Sequence, residues 1–213
     1  MCIVADFDDF CDDERSLESL ALLDKLKEEL PTFKATLFTI PARCSIGFIQ
    51  VMKDTRPWLD LVPHGWHHAT NRECQNWSMD KCLHSLESAR DSGLTTKGFK
   101  APGWQISDGC YAALEVLGYW VADQSYNDRR RPQDLKAYVI GRSYGSCKFV
   151  HRNTDDAGIL RIRSFAGPSA MQIHGHIGHL GGYNANALEL IYDQILEAGR
   201  KDPDFRFIDE VMR

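Results

Sequence analysis

The chain lacks the features that mark several large protein classes. Its 213 residues hold no apolar run of the roughly 18 or more that a membrane-spanning helix needs. It has no excess of basic residues: 25 lysines and arginines face 30 aspartates and glutamates, a formal net charge of −5. A general nucleic-acid binder needs a basic face, so none is expected as partner. The single basic cluster, Arg129-Arg130-Arg131, lies between Asp128 and Pro132 and reads as a solvated loop, with contact to an anionic substrate group as the second reading. The opening Met1-Cys2-Ile3-Val4-Ala5 lacks the basic and long apolar regions of a signal peptide, so a cytoplasmic location is expected. Paired cysteines are missing as well. Cys2, Cys11, Cys44, Cys74, Cys82, Cys110 and Cys147 are odd in number and scattered, without a CxxC pair. Reduced thiols are the simplest reading, with Cys82 and Cys110 on helical core positions. No repeat, low-complexity tract or linker stands out, and one domain over 1–213 is expected.

What is present is a regular alternation of strand and helix patterns. Strands are predicted at Cys2–Asp6, Ala35–Ile40, Trp58–Val62, Gly98–Ala101, Tyr119–Ala122, Ile159–Arg163, Ala170–Ile173 and Phe205–Ile208. A helix over Ser16–Leu30 follows from Leu17, Leu20, Leu23, Leu26 and Leu30, with Pro31 as stop. Ser78 and Ser107 read as caps of two more helices, which end at Gly93 and Gly118. Ala187–Gly199 carries Leu188, Ile191, Tyr192, Ile195 and Leu196 on one helical face. The polar stretch Ser125–Ala157 reads as loop with one helical turn and a short strand near Tyr138–Ile140. Such alternation implies right-handed βαβ units and a largely parallel sheet. Asp6, Asp8, Asp9, His64, Asp123, His174 and His176 fall at or just after strand C-termini, the edge that carries chemistry in barrels and open α/β sheets.

Three elements offer donors. Asp6-Phe7-Asp8-Asp9 is an acidic loop in its plain reading, but its adjacent carboxylates can divide into a metal ligand and a group facing substrate. In His64-Gly65-Trp66-His67-His68, positions 64 and 68 share a face if the segment turns helically, and His67 reads as a bystander. Imidazole and carboxylate are common ligands of zinc and similar ions. Ile173-His174-Gly175-His176 places histidines where an acid or base is useful, or where a structural histidine is hydrogen-bonded. His84 and His151 read as structural or solvated.

Taken in order, Asp8-Asp9, His64/His68, Phe99-Lys100-Ala101-Pro102-Gly103-Trp104, Asp123 and Ile173-His174 resemble the five motifs of the NodB-homology polysaccharide deacetylases. Asp6 stands for that family's Thr, and Lys100 for its Arg. Ala35-Thr36-Leu37-Phe38 and Phe205–Val211 resemble its second and last strands, so the resemblance spans nearly the whole chain.

The resemblance implies a distorted (β/α) barrel, and a chain shorter than the roughly 250 residues of a full eightfold barrel implies fewer than eight complete units. It implies a divalent metal, zinc first and cobalt, nickel or manganese as alternatives, held by Asp9, His64 and His68. Asp8 becomes the general base, His174 the acid and Asp123 the carboxylate that holds His174. Lys100 takes the place of the Arg beside the base. The Gly103 N–H becomes the oxyanion donor, and Trp104 and Trp66 the pocket wall, with core packing an equal reading for Trp66. The implied activity is removal of acetyl from an N-acetylated sugar or sugar conjugate. A ring-amide hydrolase of the same superfamily and an inactive binding module of the same fold are the alternatives.

Overall fold

The computed structural model describes residues 2–124, 127, 129–140, 158–161, 170–177 and 187–211. Within these, β1 is Cys2–Phe10, β2 Ala35–Thr39, β3 Leu59–Pro63, β4 Gly98–Lys100, β5 Trp120–Gln124, β6 Ala137–Ile140, β7 Gly158–Arg161 and β8 Ala170–His176. The helices are α1 Glu14–Glu29, α2 Ile46–Thr55, α3 Met79–Asp91, α4 Asp108–Leu117, α5 Ala187–Lys201 and α6 Ile208–Val211. Cys147, His151 and His179 lie outside the described residues, as does most of the polar stretch after Gln124.

β1 is central, and all nine of its residues are buried. It pairs in parallel with β2 on one side and β8 on the other, within the order β3-β2-β1-β8-β7. A second sheet, β4-β5-β6, is also parallel. An isolated parallel bridge between His64 and Lys100 joins the two sheets. Among the described strands only β7 runs antiparallel, against β8. The result is a curved, largely parallel α/β sheet of distorted-barrel type, with no closed ring among the described residues.

Side chains alternate across each strand, and this sorts the interior. The outward residues Ile3, Ala5 and Phe7 pack with Leu20, Leu23 and Leu26 of α1 and Leu188, Ile191 and Ile195 of α5. Under α3 and α4 lies a second cluster that includes Phe99, Val121, Cys82 and Cys110. On the concave side, Cys2, Val4, Phe38, Val62, Trp120 and Ala122 form an apolar floor with Ile208. Further along β1 the same inward face carries Asp6 and Asp8, so the sheet is apolar at its N-terminal end and charged at its C-terminal end.

The predicted caps are present. Ser78 accepts from the Lys81 N–H and Ser107 from the Cys110 N–H, and Gly118 ends α4 at φ 65°. α1 begins two residues before the predicted start, because Asp13 caps it by accepting from the Ser16 N–H, and Leu17 is exposed. α2 is not in the sequence reading. Ser45 caps it, and Ile49 and Met52 are buried, while Ile46 and Val51 face solvent and blur the apolar stripe. The predicted strand Phe205–Ile208 is corrected: only Phe205 bridges to Ile3, and the Glu210 carboxylate accepts the Phe207 N–H as α6 begins. Cys82 and Cys110 are fully buried, and the six described cysteines are free thiols. No helix among the described residues is long and apolar enough to cross a membrane.

The floor is tightly filled where Trp120 crosses Gly98, its neighbour in register. A Cβ on Gly98 would lie 2.2 Å from the Trp120 ring. Gly98→Ala should therefore lower unfolding free energy by about 1–3 kcal/mol, as overpacking of a filled core does. Urea unfolding checks this, and an unchanged midpoint would contradict it.

Candidate metal centre and active site

Adjacent residues on a regular strand face opposite ways, yet Asp8 and Asp9 both serve one site. A bulge makes this possible. Phe7 pairs with Leu37 and Phe10 with Thr39, so three steps on β1 match two on β2. Asp9 sits in the extra step with φ 68°. Bulges re-aim side chains in this way. The other two non-glycine residues of positive φ, among those described, are His68 and Trp104. Each such position costs about 1–3 kcal/mol and persists only where its surroundings hold it, and all three belong to the site.

His64 follows β3 directly, and its N–H donates to the Thr39 carbonyl at 2.7 Å. Its Nδ1 lies 3.0 Å from the Lys100 carbonyl. That contact places hydrogen on Nδ1 and leaves the Nε2 lone pair for a ligand. Nε2 faces Asp9 Oδ1 at 3.5 Å, and His68 Nε2 faces the same oxygen at 3.2 Å. The chain from His64 to His68 is not helical. It bends through Gly65, at φ 60°, and is held by Glu73, which accepts the N–H groups of Trp66, His67 and His68 at 3.2, 2.9 and 2.9 Å. Glycine suits position 65, since the φ is positive and a Cβ would lie 2.8 Å from the Pro102 ring. His67 is exposed and outside the cluster.

Asp9, His64 and His68 are all buried and present donor atoms within 4.8 Å of one another. Asp9 Oδ1 and His64 Nε2 have no hydrogen-bond partner among the described residues. Two imidazole nitrogens and one carboxylate, with orphaned buried lone pairs, fit a divalent cation such as zinc. Burial pushes the Asp9 carboxyl up, but the nearby imidazoles of His64 and His176 outweigh it and hold Asp9 below the usual range. Burial, aided by His64, lowers His68, which favours the neutral form that ligates.

Asp8 is held separately. The buried Lys100 ammonium contacts Oδ1 at 2.5 Å and also contacts Oδ2. Lys100 lies 3.7 Å from the centre of the Trp104 ring. Burial alone would raise the Asp8 carboxyl, yet Lys100, with His174, His64 and His176, holds it well below the ordinary carboxylate value. Asp6, Asp8 and His174 form another group of close donors. Their atoms are already engaged, because Lys100 takes both oxygens of Asp8 and His174 Nδ1 sits 2.5 Å from Asp6 Oδ1. This group is poorly suited to a second cation.

His174 is buried, with Nε2 3.9 Å from Asp8 Oδ2. The Trp104 ring lies beside it, centroids 6.1 Å apart. His176 Nε2 is also 3.9 Å from Asp8 Oδ2, which adds a residue absent from the expected set. The expectation that Asp123 holds His174 is corrected. On β5, Trp120 and Ala122 face the concave floor, so Asp123 falls on the opposite face. There it accepts from Tyr111 at 2.6 Å, Asn127 at 2.6 Å and Arg131 at 3.3 Å. Asn127 also donates to the Trp104 carbonyl, so Asp123 braces the turn that carries Trp104. The arginine cluster is correspondingly only partly solvated, since Arg130 donates to the Ile106 carbonyl and Asp108.

Gly103 is exposed, at φ 56°, in the 3-10 turn Pro102–Trp104, and a Cβ there would meet the Asn71 carbonyl at 2.5 Å. Trp66 packs between the two large apolar clusters.

No protein-family model and no curated protein matches the sequence. Solved structures do. A family 4 carbohydrate esterase from Streptomyces lividans, in complex with acetate, superposes with TM-score 0.56 at 14% identity, over 95% of this chain and 89% of its own. The fold is that of a family 4 carbohydrate esterase. A peptidoglycan N-acetylglucosamine deacetylase matches with TM-score 0.53 at 16% identity, over 99% of this chain and 87% of its own. A family 4 pseudoenzyme from Bacillus anthracis matches with TM-score 0.56 at 13% identity, and the chain spans 65% of its length. A mutant of that pseudoenzyme is described as having restored enzymatic activity.

Among the residues that the motif reading passes over, Glu73 governs the histidine loop most directly. Glu73→Ala would strand three N–H groups. Loss of a supporting residue costs roughly 10–100-fold in metal affinity. Zinc titration against a competing chelator checks this, and wild-type affinity in the variant would contradict the assignment.

Proposed function

We propose that the chain is a metal-dependent hydrolase that removes acetyl from an N-acetylated sugar or sugar conjugate. The observation that carries this reading is the division of labour along β1. Asp9 faces two imidazoles with an orphaned oxygen, while its neighbour Asp8 is held apart by an ammonium. The fold it shares with carbohydrate deacetylases supports the substrate class.

Asp9, His64 and His68 would hold the ion, zinc first, with cobalt, nickel or manganese as alternatives. A divalent ion supplies a Lewis acid there, polarising the acetamide carbonyl and acidifying a water. Asp8 accepts the proton of the attacking water as general base. Lys100 keeps Asp8 ionised before that transfer. The Gly103 N–H sits at the start of its turn, where helical N–H groups lack internal partners, and donates to the developing oxyanion. His174 delivers a proton to the leaving amine. Trp104 covers Lys100 and shapes the wall beside His174.

One observation favours a second reading, an inactive binding module of the same fold. Lys100 engages both oxygens of Asp8, and a carboxylate held so far below its usual range is a weak base. An arginine would spread its charge over a planar fork. Lys100→Arg should therefore keep or modestly raise turnover, and Lys100→Ala should lower it. Full turnover in the alanine variant would remove Lys100 from the mechanism.

The deciding experiment measures acetate release from N-acetylated sugars, sugar conjugates and ring amides together with metal content. Asp9→Asn should lose metal, and added metal should restore part of its activity. Asp8→Asn should keep the metal while turnover falls by roughly 10²–10⁴-fold, beyond rescue by added metal. Release of acetate by no substrate would sink the deacetylase reading. Metal loss in Asp8→Asn with retention in Asp9→Asn would reverse the two assignments.

A further inference from the structure

We propose that Asp6 is the positioning residue for His174, fixing the side-chain proton on Nδ1 and aiming Nε2 at Asp8. This rests on the reading of His174 as the proton donor to the leaving amine. Asp6 and His174 are direct neighbours in the register of the parallel pair β1 and β8, and both sit on the inward face. Asp6 is fully buried and His174 nearly so. His174 Nδ1 lies 2.5 Å from Asp6 Oδ1. The other carboxylate oxygen accepts from Gln172 Nε2 at 2.8 Å, one inward position earlier on β8.

An ionised carboxylate only accepts hydrogen bonds, so the imidazole nitrogen against it has to carry hydrogen. Nε2 is then the nitrogen left to exchange a proton. It points to the side where Asp8 Oδ2 stands at 3.9 Å and the Trp104 ring lies near. A buried carboxylate against Nδ1 is the arrangement that fixes tautomer and ring orientation in acid–base histidines. Gln172 prevents the carboxylate from rotating away. Asp123 cannot take this part, because its carboxylate is committed to Tyr111, Asn127 and Arg131 on the far face of β5. The acid residue that departs from the family motif at position 6 thus supplies what Asp123 does not.

The test combines histidine side-chain NMR with kinetics. Protein labelled with ¹⁵N-histidine, with and without added zinc, reports which nitrogen of His174 carries the proton. The signal is assigned by its absence in His174→Gln. In the wild type the proton should be on Nδ1. In Asp6→Asn that signal should disappear while metal content stays at the wild-type level. Turnover number should drop about 10²–10⁴-fold with KM changed only a few-fold. Asp123→Asn should keep the Nδ1 signal. The wild-type spectrum decides the matter even if Asp6→Asn fails to fold, since a His174 whose Nδ1 carries no proton overturns the proposal outright, whereas a proton on Nε2 beside one on Nδ1 is the charged acid form. An unchanged signal in Asp6→Asn, or its loss in Asp123→Asn, also overturns the proposal. An Nδ1 proton that depends on Asp6, in a protein that releases no acetate, supports Asp6's hold on His174 and counts only against the deacetylase reading.

Discussion

Three carboxylates within four residues of the central strand lie out of water, and the site is organised around neutralising them. An ionised carboxylate left unpaired in apolar surroundings costs on the order of tens of kcal/mol in a dry medium, so each must find donors or positive charge. Asp6 is met by His174 and Gln172, and Asp8 by Lys100. Among the described residues Asp9 is met by two imidazole edges, with an orphaned oxygen between them. Imidazoles in the neutral form that ligates do not balance a buried charge. A cation does, and for that reason the third carboxylate points to a metal while the other two do not.

The backbone is shaped to bring these groups together. The bulge in β1 turns Asp9 toward the histidines without breaking the strand's burial. His64 reaches inward because the β3 end bridges to Lys100, so one contact both joins the two sheets and sets the His64 imidazole beside the ammonium's strand. Glu73 and Gly65 then bend the chain so that His68 returns to the same point. On the other side, Asp123 and Asn127 hold the Trp104 turn over Lys100. Each group that touches the site is fixed by a second one behind it, the condition for precise ligand and acid–base geometry.

Much of this was legible in the chain. The alternation of strands and helices and the serine caps at 78 and 107 follow from local pattern, the grouping of Asp9, His64 and His68 follows from the motif resemblance, and in the fold these three side chains lie together. What escaped was non-local. Asp123 sits at the expected strand end, but one step of pleat turns it to the other face, and pleat phase is not written in a motif. Asp6 reads as a departure from a threonine until the register of β1 against β8 puts it beside His174. Glu73 acts on backbone N–H groups five to seven positions earlier, a contact with no periodic signature. α2 hides because Ile46 and Val51 are exposed on what would be its polar side.

The central claim is that a single divalent ion is held by Asp9, His64 and His68. X-ray absorption at the zinc edge, on protein stripped with a chelator and reloaded with one equivalent, tests it most directly. Two imidazole nitrogens with oxygen in the remaining shell are expected, at roughly 2.0–2.2 Å and without sulfur. A sulfur shell would move the ion to the cysteines. Failure of the stripped protein to retain any zinc would leave Asp9 buried without its counter-charge and contradict the metal centre.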